Sequence, residues 1–401
     1  MKATPVRLVC VAVSLLLLCS LYGFAAPSDE VAGLVGRLGP ILLFLAAISI
    51  VVNLSAKAGV FDQIAEMVAR SRASRGLGLW FVVVGLSVVS TAFLSLDTTA
   101  VLVTPLVFAL ALRSGTDPGP LVLTVVWISN TGSLFLPVSN LTNLLAVGSN
   151  AFAGSTGGYL RLAVLPATIS VLVTILFAGL VFRRRLARRD VAGLQSETDE
   201  HFRSVKEGRT THRLMPLCAG VLAVLMPLLT TPIPVWWSAS VAAAIVLVAF
   251  RQVDRASVRM ALVPWSAIAI AVGVVVAVQL ALDAGAEQML RSVLVTEGTG
   301  VSELFVLSGA AALASNMLNN LPAYLLFEPA AGSDVEIMAV LIGSNAGPLI
   351  TPWASLATLL WADQLRRAGI KVSWCRYAAL GGVLAVTAVG ASTAVLVFTA
   401  T

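Results

Sequence analysis

Residues 129–145 read SNTGSLFLPVSNLTNLL, and residues 344–360 read SNAGPLITPWASLATLL. The two stretches align without a gap, and 8 of the 17 positions are identical: Ser, Asn, Gly, Leu, Pro and three further Leu. In both, glycine and proline interrupt an apolar run; glycine permits unusual backbone angles, and proline removes an N–H donor. This repeated interruption predicts two similarly folded halves, each containing a helix that is broken in the middle.

The composition places both halves in a membrane. Of the 401 residues, 58% are hydrophobic and 11% are charged, whereas soluble domains are about 25% charged. The apolar blocks are long enough for bilayer-spanning helices, which need about 20 residues each. The sequence therefore predicts an all-α polytopic membrane protein and excludes a soluble enzyme.

The four cysteines form no CxxC motif, so we predict no metal site and no cofactor. The net charge of +6 reflects basic loops rather than a surface for nucleic acid.

We expect about nine full spans and two re-entrant hairpins. The hairpins are the stretches 77–112 and 300–331, which are too long for one helix and carry polar residues in the middle. Residues 8–25 could pass for a signal peptide, but we interpret them as a retained helix because the repeat requires one. The full spans are 8–25, 39–55, 119–147, 162–182, 214–230, 235–251, 261–283, 336–363 and 376–399.

The charges of the loops give the orientation. The longest polar segment, 183–213, carries nine Lys and Arg against five acids, and the positive-inside rule places it in the cytoplasm. Counting spans from there puts the N-terminus, Arg75 and Arg113 inside, so 77–112 must enter and leave by the cytoplasmic face. The same count opens 300–331 to the outside. We predict a multi-pass protein of the inner (plasma) membrane.

By this count the two halves cross the membrane in opposite directions. In each half a hairpin precedes a broken helix, at 119–147 and at 336–363. Lys57-Ala58-Gly59 matches Asp283-Ala284-Gly285, and each opens a short amphipathic stretch. The predicted organisation is a first repeat at 1–182, a cytoplasmic loop at 183–213, a linker helix at 214–230 and a second repeat at 231–401.

Inverted repeats with paired interrupted helices are typical of secondary transporters, whose substrate lies near the midplane at the breaks. The repeat argues against a channel, and the lack of a His, Cys or Glu constellation in the predicted spans argues against an enzyme. The candidate substrate-binding residues are the polar side chains at the four breaks: Asp97, Thr98, Thr99, Asn130, Asn140, Asn143, Asn319, Asn320, Asn345, Ser355 and Thr358.

Nearly all of these side chains are neutral hydroxyls and amides, with no Arg, Lys or His among them. Such a set suits a neutral polyhydroxy solute, whereas a di- or tricarboxylate would usually require a cation. Asp97 is the one acid near the predicted midplane, where a charge costs about 2.5–3.5 kcal/mol. We interpret it as a proton carrier or a sodium ligand; the alternative is an N-cap of a helix starting at Thr98.

The repeat also pairs the candidates with one another. Asn140 is equivalent to Ser355, and Asn143 is equivalent to Thr358. We match the two hairpin tips through Asp97 and Asn320. If the repeats face each other, these six side chains converge on one midplane pocket, with the N–H groups of the half-helices pointing into it.

Several motifs resemble the arsenite efflux permeases (ArsB type) of the ion-transporter superfamily. The closest are Met317-Leu318-Asn319-Asn320-Leu321-Pro322 and the run from Asn345 to Trp361; Phe93 to Pro105 and Val138 to Asn143 resemble the first-half motifs. Two positions depart from the family pattern: Leu96-Asp97-Thr98 stands where these permeases usually carry Asn-Asp-Gly, and Leu349 replaces a Lys.

The resemblance implies export of trivalent arsenite or antimonite driven by the proton motive force. We expect the export to exchange the solute for protons by alternating access of an elevator type. The resemblance also implies, in some members, a soluble arsenical pump ATPase as partner. Undissociated arsenite is a small neutral trihydroxide, which suits the candidate site. We expect a monomer or a homodimer in the bilayer. The competing interpretation is a sodium/proton antiporter, or another ion carrier of the same superfamily, with Asp97 as a sodium ligand.

Overall fold

The structure is a computed structural model that describes residues 28–70, 76–187, 212–294 and 300–400. Within these ranges the regular elements are helices and no strand is present, which confirms the all-α class. The predicted span 8–25 and most of the basic loop 183–213 lie outside the described residues. Seven helices in the described ranges are long and apolar enough to cross a bilayer.

The first half contains seven α-helices in the described ranges. The predicted broken span 119–147 is indeed two helices, which are separated by short 3-10 turns at Gly132–Leu134 and Pro137–Ser139. The helices are α1 (Ser28–Lys57), α2 (Val60–Arg70), α3 (Gly76–Leu94), α4 (Leu96–Ser114), α5 (Pro118–Thr131), α6 (Leu141–Val147) and α7 (Thr156–Ala187).

The second half repeats this order after the linker helix. The predicted broken span 336–363 is also two helices, which Gly347 to Ser355 separate. The helices are α8 (Met215–Leu228), α9 (Val235–Val253), α10 (Trp265–Ala281), α11 (Glu287–Leu294), α12 (Gly300–Met317), α13 (Asn320–Phe327), α14 (Asp334–Ala346), α15 (Leu356–Arg367) and α16 (Trp374–Ala400).

The predicted match between the two amphipathic connectors is confirmed in backbone geometry. Gly59 and Gly285 have φ angles of 86° and 99°, a left-handed region that glycine enters without steric cost. Gly59 lies at the end of α1, where α2 begins. Gly285 interrupts the chain between α10 and α11. Each glycine therefore turns the chain from a spanning helix into a short amphipathic one.

Each hairpin turns on a polar residue in strained backbone. Ser95 alone joins α3 to α4, with φ 93°, and its hydroxyl accepts a hydrogen bond from the Thr98 N–H. Asn319 precedes α13, with φ 139°, and its side chain accepts from the Leu321 N–H. Positive φ at a non-glycine residue costs of order 1–3 kcal/mol, so these turns persist because the packed arms hold them.

These caps correct two sequence-based predictions. Ser95 rather than Asp97 caps α4, so the N-cap alternative for Asp97 is wrong. Aligning the tips by their capping residues pairs Ser95 with Asn319, which makes Asp97 equivalent to Leu321 rather than to Asn320. The predicted pairing was one residue out of register because so few side chains are identical around the two tips that the sequence supports either register.

Glycines at the second break act through their small size rather than through an unusual backbone angle. Gly132 and Gly347 have ordinary φ values of −84° and −79°, which corrects the prediction of unusual angles. A Cβ on Gly347 would lie 2.4 Å from the Ala312 Cβ, and one on Gly343 would lie 2.1 Å from the Ser308 carbonyl oxygen. Glycine at these two positions therefore lets α14 lie directly against α12.

The helices form two packed groups. In one, α1 packs against α8, α9 and α10. The other contains both hairpins and both broken helices: α3 packs against α4 and α5, α12 against α13 and α14, and α7 against α16. We call the first the frame helices and the second the hairpin group. The two halves meet within the hairpin group, where α4 packs against α15 and α6 against α13.

Candidate site at the helix breaks

Four helices of the hairpin group begin at the breaks. Ser95, Asn140 and Asn319 are N-caps whose side chains accept a backbone N–H of their own helix. Ser355 occupies the same position before α15 but makes no capping hydrogen bond. The predicted placement of Asn140 and Ser355 at the start of the second half-helices is confirmed, and only Ser355 leaves its hydroxyl unused there.

Asn345 is the centre of a buried amide network that joins both repeats. Its Oδ1 accepts a hydrogen bond from the Ser133 hydroxyl at 3.0 Å and another from the Asn140 Nδ2. Its Nδ2 donates to the Asn143 Oδ1 at 2.8 Å. Asn143 in turn donates to the carbonyl oxygens of Ser133, at 2.7 Å, and Leu136, at 3.1 Å. Three of the predicted site residues are thus bonded to one another.

The equivalent residues of the other half are not joined in this way. Asn130 matches Asn345 in the repeat, yet its Nδ2 donates only to the Val126 carbonyl of its own helix, at 2.9 Å. Within the described ranges, the Asn130 Oδ1 and the Ser355 Oγ are buried and have no hydrogen-bond partner. Thr358, which matches Asn143, lies 3.4 Å from the Tyr377 hydroxyl.

Asp97 adds a third unused oxygen. Its Oδ1 is buried and has no partner among the residues that the structure describes. Asp97 is the second residue of α4, which packs against both α5 and α15. The carboxyl therefore lies on the helix that adjoins those of Asn130 and Ser355.

The remaining predicted residues stabilise the hairpin turns. The Ser95 hydroxyl donates to Thr98 at 3.1 Å, and the Thr99 hydroxyl lies 2.9 Å from the Ser95 carbonyl oxygen. Asn319 donates to the Trp353 carbonyl at 2.8 Å, and the Asn320 N–H donates to the Ala354 carbonyl at 2.9 Å. The second tip is thereby tied to the second break.

Asn316 is a structural residue that the list of candidates omits. Its side-chain oxygen accepts from the N–H groups of Ile350, at 3.0 Å, and Thr351, at 3.2 Å, and its Nδ2 donates to the Gly347 carbonyl at 2.8 Å. It satisfies backbone groups that the broken helix leaves free. The sequence signal was an amide inside an apolar arm, three residues before the tip.

A cavity of about 500 Å³ lies away from the breaks, between the frame helices and the hairpin group. Its polar lining includes Arg37, Gln279 and Glu328. Arg37 forms an ion pair with Glu328 and donates to the Leu145 carbonyl at 3.0 Å. None of the eleven predicted site residues lines this cavity, and no three His, Cys, Asp or Glu side chains of the described residues cluster as metal ligands.

Two halves with the same order of helices, paired hairpins and broken helices lined with neutral polar side chains define a multi-pass membrane protein of the secondary transporter class. The solved structure of the Alcanivorax borkumensis YdaH transporter, described as having an unusual topology, has the same fold. Its TM-score is 0.58 with 16% sequence identity, and the match covers 98% of this chain and 97% of that one.

Sequence comparisons give the family. The family described as "Citrate transporter" matches residues 2–334. The arsenical pump membrane protein of Escherichia coli K12 is 30% identical over 368 residues, which covers 84% of this chain and 81% of the relative. The Yersinia enterocolitica protein of the same name is 29% identical over 369 residues, with the same coverage. The chain belongs to the ArsB-type permease family of the ion-transporter superfamily and is a protein of the inner membrane.

Proposed function

We propose that the chain exports trivalent arsenite and antimonite from the cytoplasm in exchange for protons. The names of its relatives support arsenical transport. The chemistry of the breaks supports a neutral solute, because Asn and Ser oxygens without a nearby cation hydrogen-bond hydroxyl groups but do not offset the charge of an anion. Undissociated arsenite carries three hydroxyl groups and no charge.

The observation that carries the proton coupling is Asp97. It is the only acid at the four breaks, and its Oδ1 is buried without a partner in the described part of the chain. A carboxylate in such a place is costly while it is charged and unpaired, so protonation or a ligand relieves the cost. Asp97 can therefore exchange a proton for the solute as the site changes its exposure.

The packing supports an elevator type of movement. The breaks and hairpins all belong to the hairpin group, and the glycines of α14 hold that helix close against α12. Among the frame helices, α1, α8 and α9 pack mainly on one another, whereas α10 also packs against α13 of the hairpin group. Movement of the hairpin group as one body against the frame would carry the site from one side of the membrane to the other.

The test is uptake into everted membrane vesicles with an imposed pH gradient, acid inside. Parent protein should accumulate arsenite when the gradient is applied. Asp97→Asn keeps the shape of the side chain and loses its titration, so we expect gradient-driven uptake to fall at least tenfold while arsenite exchange without a gradient continues.

Asp363→Asn is the control, because Asp363 pairs with Arg366 and Arg367 at the end of α15. It should keep gradient-driven uptake close to the parent value. Undiminished coupling in Asp97→Asn would remove Asp97 from the mechanism, and the absence of arsenite uptake by the parent would refute the proposed substrate.

A sodium/proton antiporter is the second candidate, because hard cations also bind oxygen ligands. The unused oxygens of Asp97, Asn130 and Ser355 are the observation that favours it. The same vesicles, loaded with radioactive sodium or citrate in place of arsenite, separate the alternatives. Sodium flux without arsenite flux would favour the antiporter.

A further inference from the structure

The repeat places the same asparagine at two equivalent positions with different surroundings. Asn345 ends α14 and faces α6, whose first residues supply Asn140 and Asn143 as partners. Asn130 ends α5, which packs against α15. The equivalent residues of α15 are Ser355 and Thr358, and both side chains are shorter than asparagine.

This difference in side-chain length accompanies a difference in hydrogen bonding. Every polar group of the Asn345 side chain has a protein partner. At the other position, Asn130 and Ser355 are each 0% exposed, and among the described residues the Asn130 Oδ1 and the Ser355 Oγ have no partner. Buried polar oxygens of this kind are rare in folded proteins and require an explanation.

We infer that the chain has a one-sided substrate site, between Asn130, Asp97 and Ser355, and that the Asn345 network is its filled counterpart. This inference rests on the proposed function for the identity of the solute. The site offers the oxygens of a carboxyl, an amide and a hydroxyl, each on a different helix. A neutral trihydroxide has three O–H donors and satisfies all three acceptors, while its own oxygens accept from the Ser355 hydroxyl.

Asn140, Asn143 and Asn345, which the sequence placed among the substrate ligands, act in this arrangement as a brace between the repeats. Their side-chain groups are occupied by one another and by Ser133. A solute would have to displace these bonds to reach them. At Asn130 a solute would displace no bond of the side-chain oxygen, because the Asn130 Oδ1 has no partner among the described residues.

The test replaces a residue of the proposed site with its equivalent from the Asn345 network. Ser355→Asn introduces the side chain that stands at the equivalent position 140, and it should occupy the site. We expect arsenite binding to purified protein to weaken at least tenfold, with an unfolding temperature equal to or above that of the parent. Ser355→Ala adds no side-chain volume. It should weaken arsenite binding about 2- to 10-fold, which is the effect of one lost neutral hydrogen bond.

Ser133→Ala is the matched control, because it removes one hydroxyl from the filled half. It should lower the unfolding temperature and leave arsenite affinity within about twofold of the parent. Boric acid, a second neutral trihydroxide, should compete with arsenite in the parent and lose that competition in Ser355→Asn.

Parent-like arsenite affinity in both Ser355 variants would overturn the one-sided site while leaving arsenite transport intact. If the parent binds sodium or citrate instead of arsenite, the proposed substrate is wrong. Loss of sodium or citrate binding in Ser355→Asn would still support the site. Unchanged binding of that ligand in Ser355→Asn would refute the site as well as the substrate.

Discussion

A single amide, that of Asn345, connects two parts of the chain more than 200 residues apart. It contacts Ser133, Asn140 and Asn143, all of them buried. None of these groups faces solvent. Removing the amide would leave the Asn140 Nδ2 without a partner and the Asn143 Oδ1 with only a 3.5 Å contact to the Thr142 hydroxyl. The connection between the repeats therefore depends on one side chain at this point.

Asn345→Ala should destabilise the protein strongly. Each buried polar group left without a partner costs about 1–3 kcal/mol, and this substitution strands at least two, so we expect a loss of about 2–5 kcal/mol. Thermal unfolding in detergent measures it. Asn53→Ala is the control, since its Nδ2 donates to the Leu262 carbonyl from an exposed position. Equal effects of the two substitutions would contradict the central role of Asn345.

At the residue scale, the repeat predicted which polar residues lie at the breaks but not their contacts. Asn130 and Asn345 were both predicted as candidates because their surroundings in the sequence are alike. Which of them is bonded depends on the reach of the side chains opposite, Asn140 in one case and Ser355 in the other. Backbone strain at Ser95 and Asn319 was also unpredictable, because φ above zero is unusual for both residue types.

At the scale of elements, the two hairpins differ more than their sequences suggest. In the first, both arms have 19 residues, which corresponds to about 28 Å each. In the second, α12 has 18 residues and α13 has 8. Hydropathy predicted both hairpins as the stretches 77–112 and 300–331. It could not predict where the second arm ends, because the apolar run continues past α13 into the turn at Glu328–Ala330.

The contact between α16 and the second break depends on a glycine. A Cβ on Gly381 would lie 1.9 Å from the Leu349 carbonyl oxygen, whereas one on Gly382 would meet nothing within 4 Å. Gly381→Ala should therefore force the helix away from the break and destabilise the protein by about 1–3 kcal/mol. Gly382→Ala should be neutral or stabilise it by up to about 1 kcal/mol, since alanine favours the helix. The measurement is the unfolding temperature of each variant. Equal values for Gly381→Ala and Gly382→Ala would show that α16 does not touch the break.

At the scale of the whole molecule, Arg37 is a polar connection between the frame helices and the hairpin group. It lies in α1 and reaches both Glu328, just after α13, and the Leu145 carbonyl in α6. One guanidinium thus contacts elements of both repeats. If the hairpin group moves as a body, these contacts must break during the movement.

Glu328→Gln should lower the unfolding temperature, because the Arg37 charge loses its partner in a partly buried position, at a cost of about 1–3 kcal/mol. Replacement of both charges, Arg37→Met with Glu328→Leu, should restore most of the loss, since apolar substitutes for an ion pair are often neutral. A double variant as unstable as the single one would show that the pair acts through its shape and not its charge.

The orientation of the two halves can be tested by chemical labelling. In a cysteine-free background, Arg113→Cys should react with an impermeant maleimide only in permeabilised cells, and Ala331→Cys should react in intact cells. The reason is the excess of basic residues in 183–213, which places that segment and position 113 on the cytoplasmic side. Labelling of position 113 in intact cells would reverse the first hairpin.

The unequal surroundings of Asn130 and Asn345 also set a stoichiometry. Two identical halves would offer two equivalent solute-binding sites, which permits cooperative binding. If the Asn345 position is occupied by the protein's own amides, as we propose, each polypeptide should carry a single solute per cycle. We therefore expect titration calorimetry to give one equivalent per chain and a simple hyperbolic saturation curve, in a monomer and in a dimer alike.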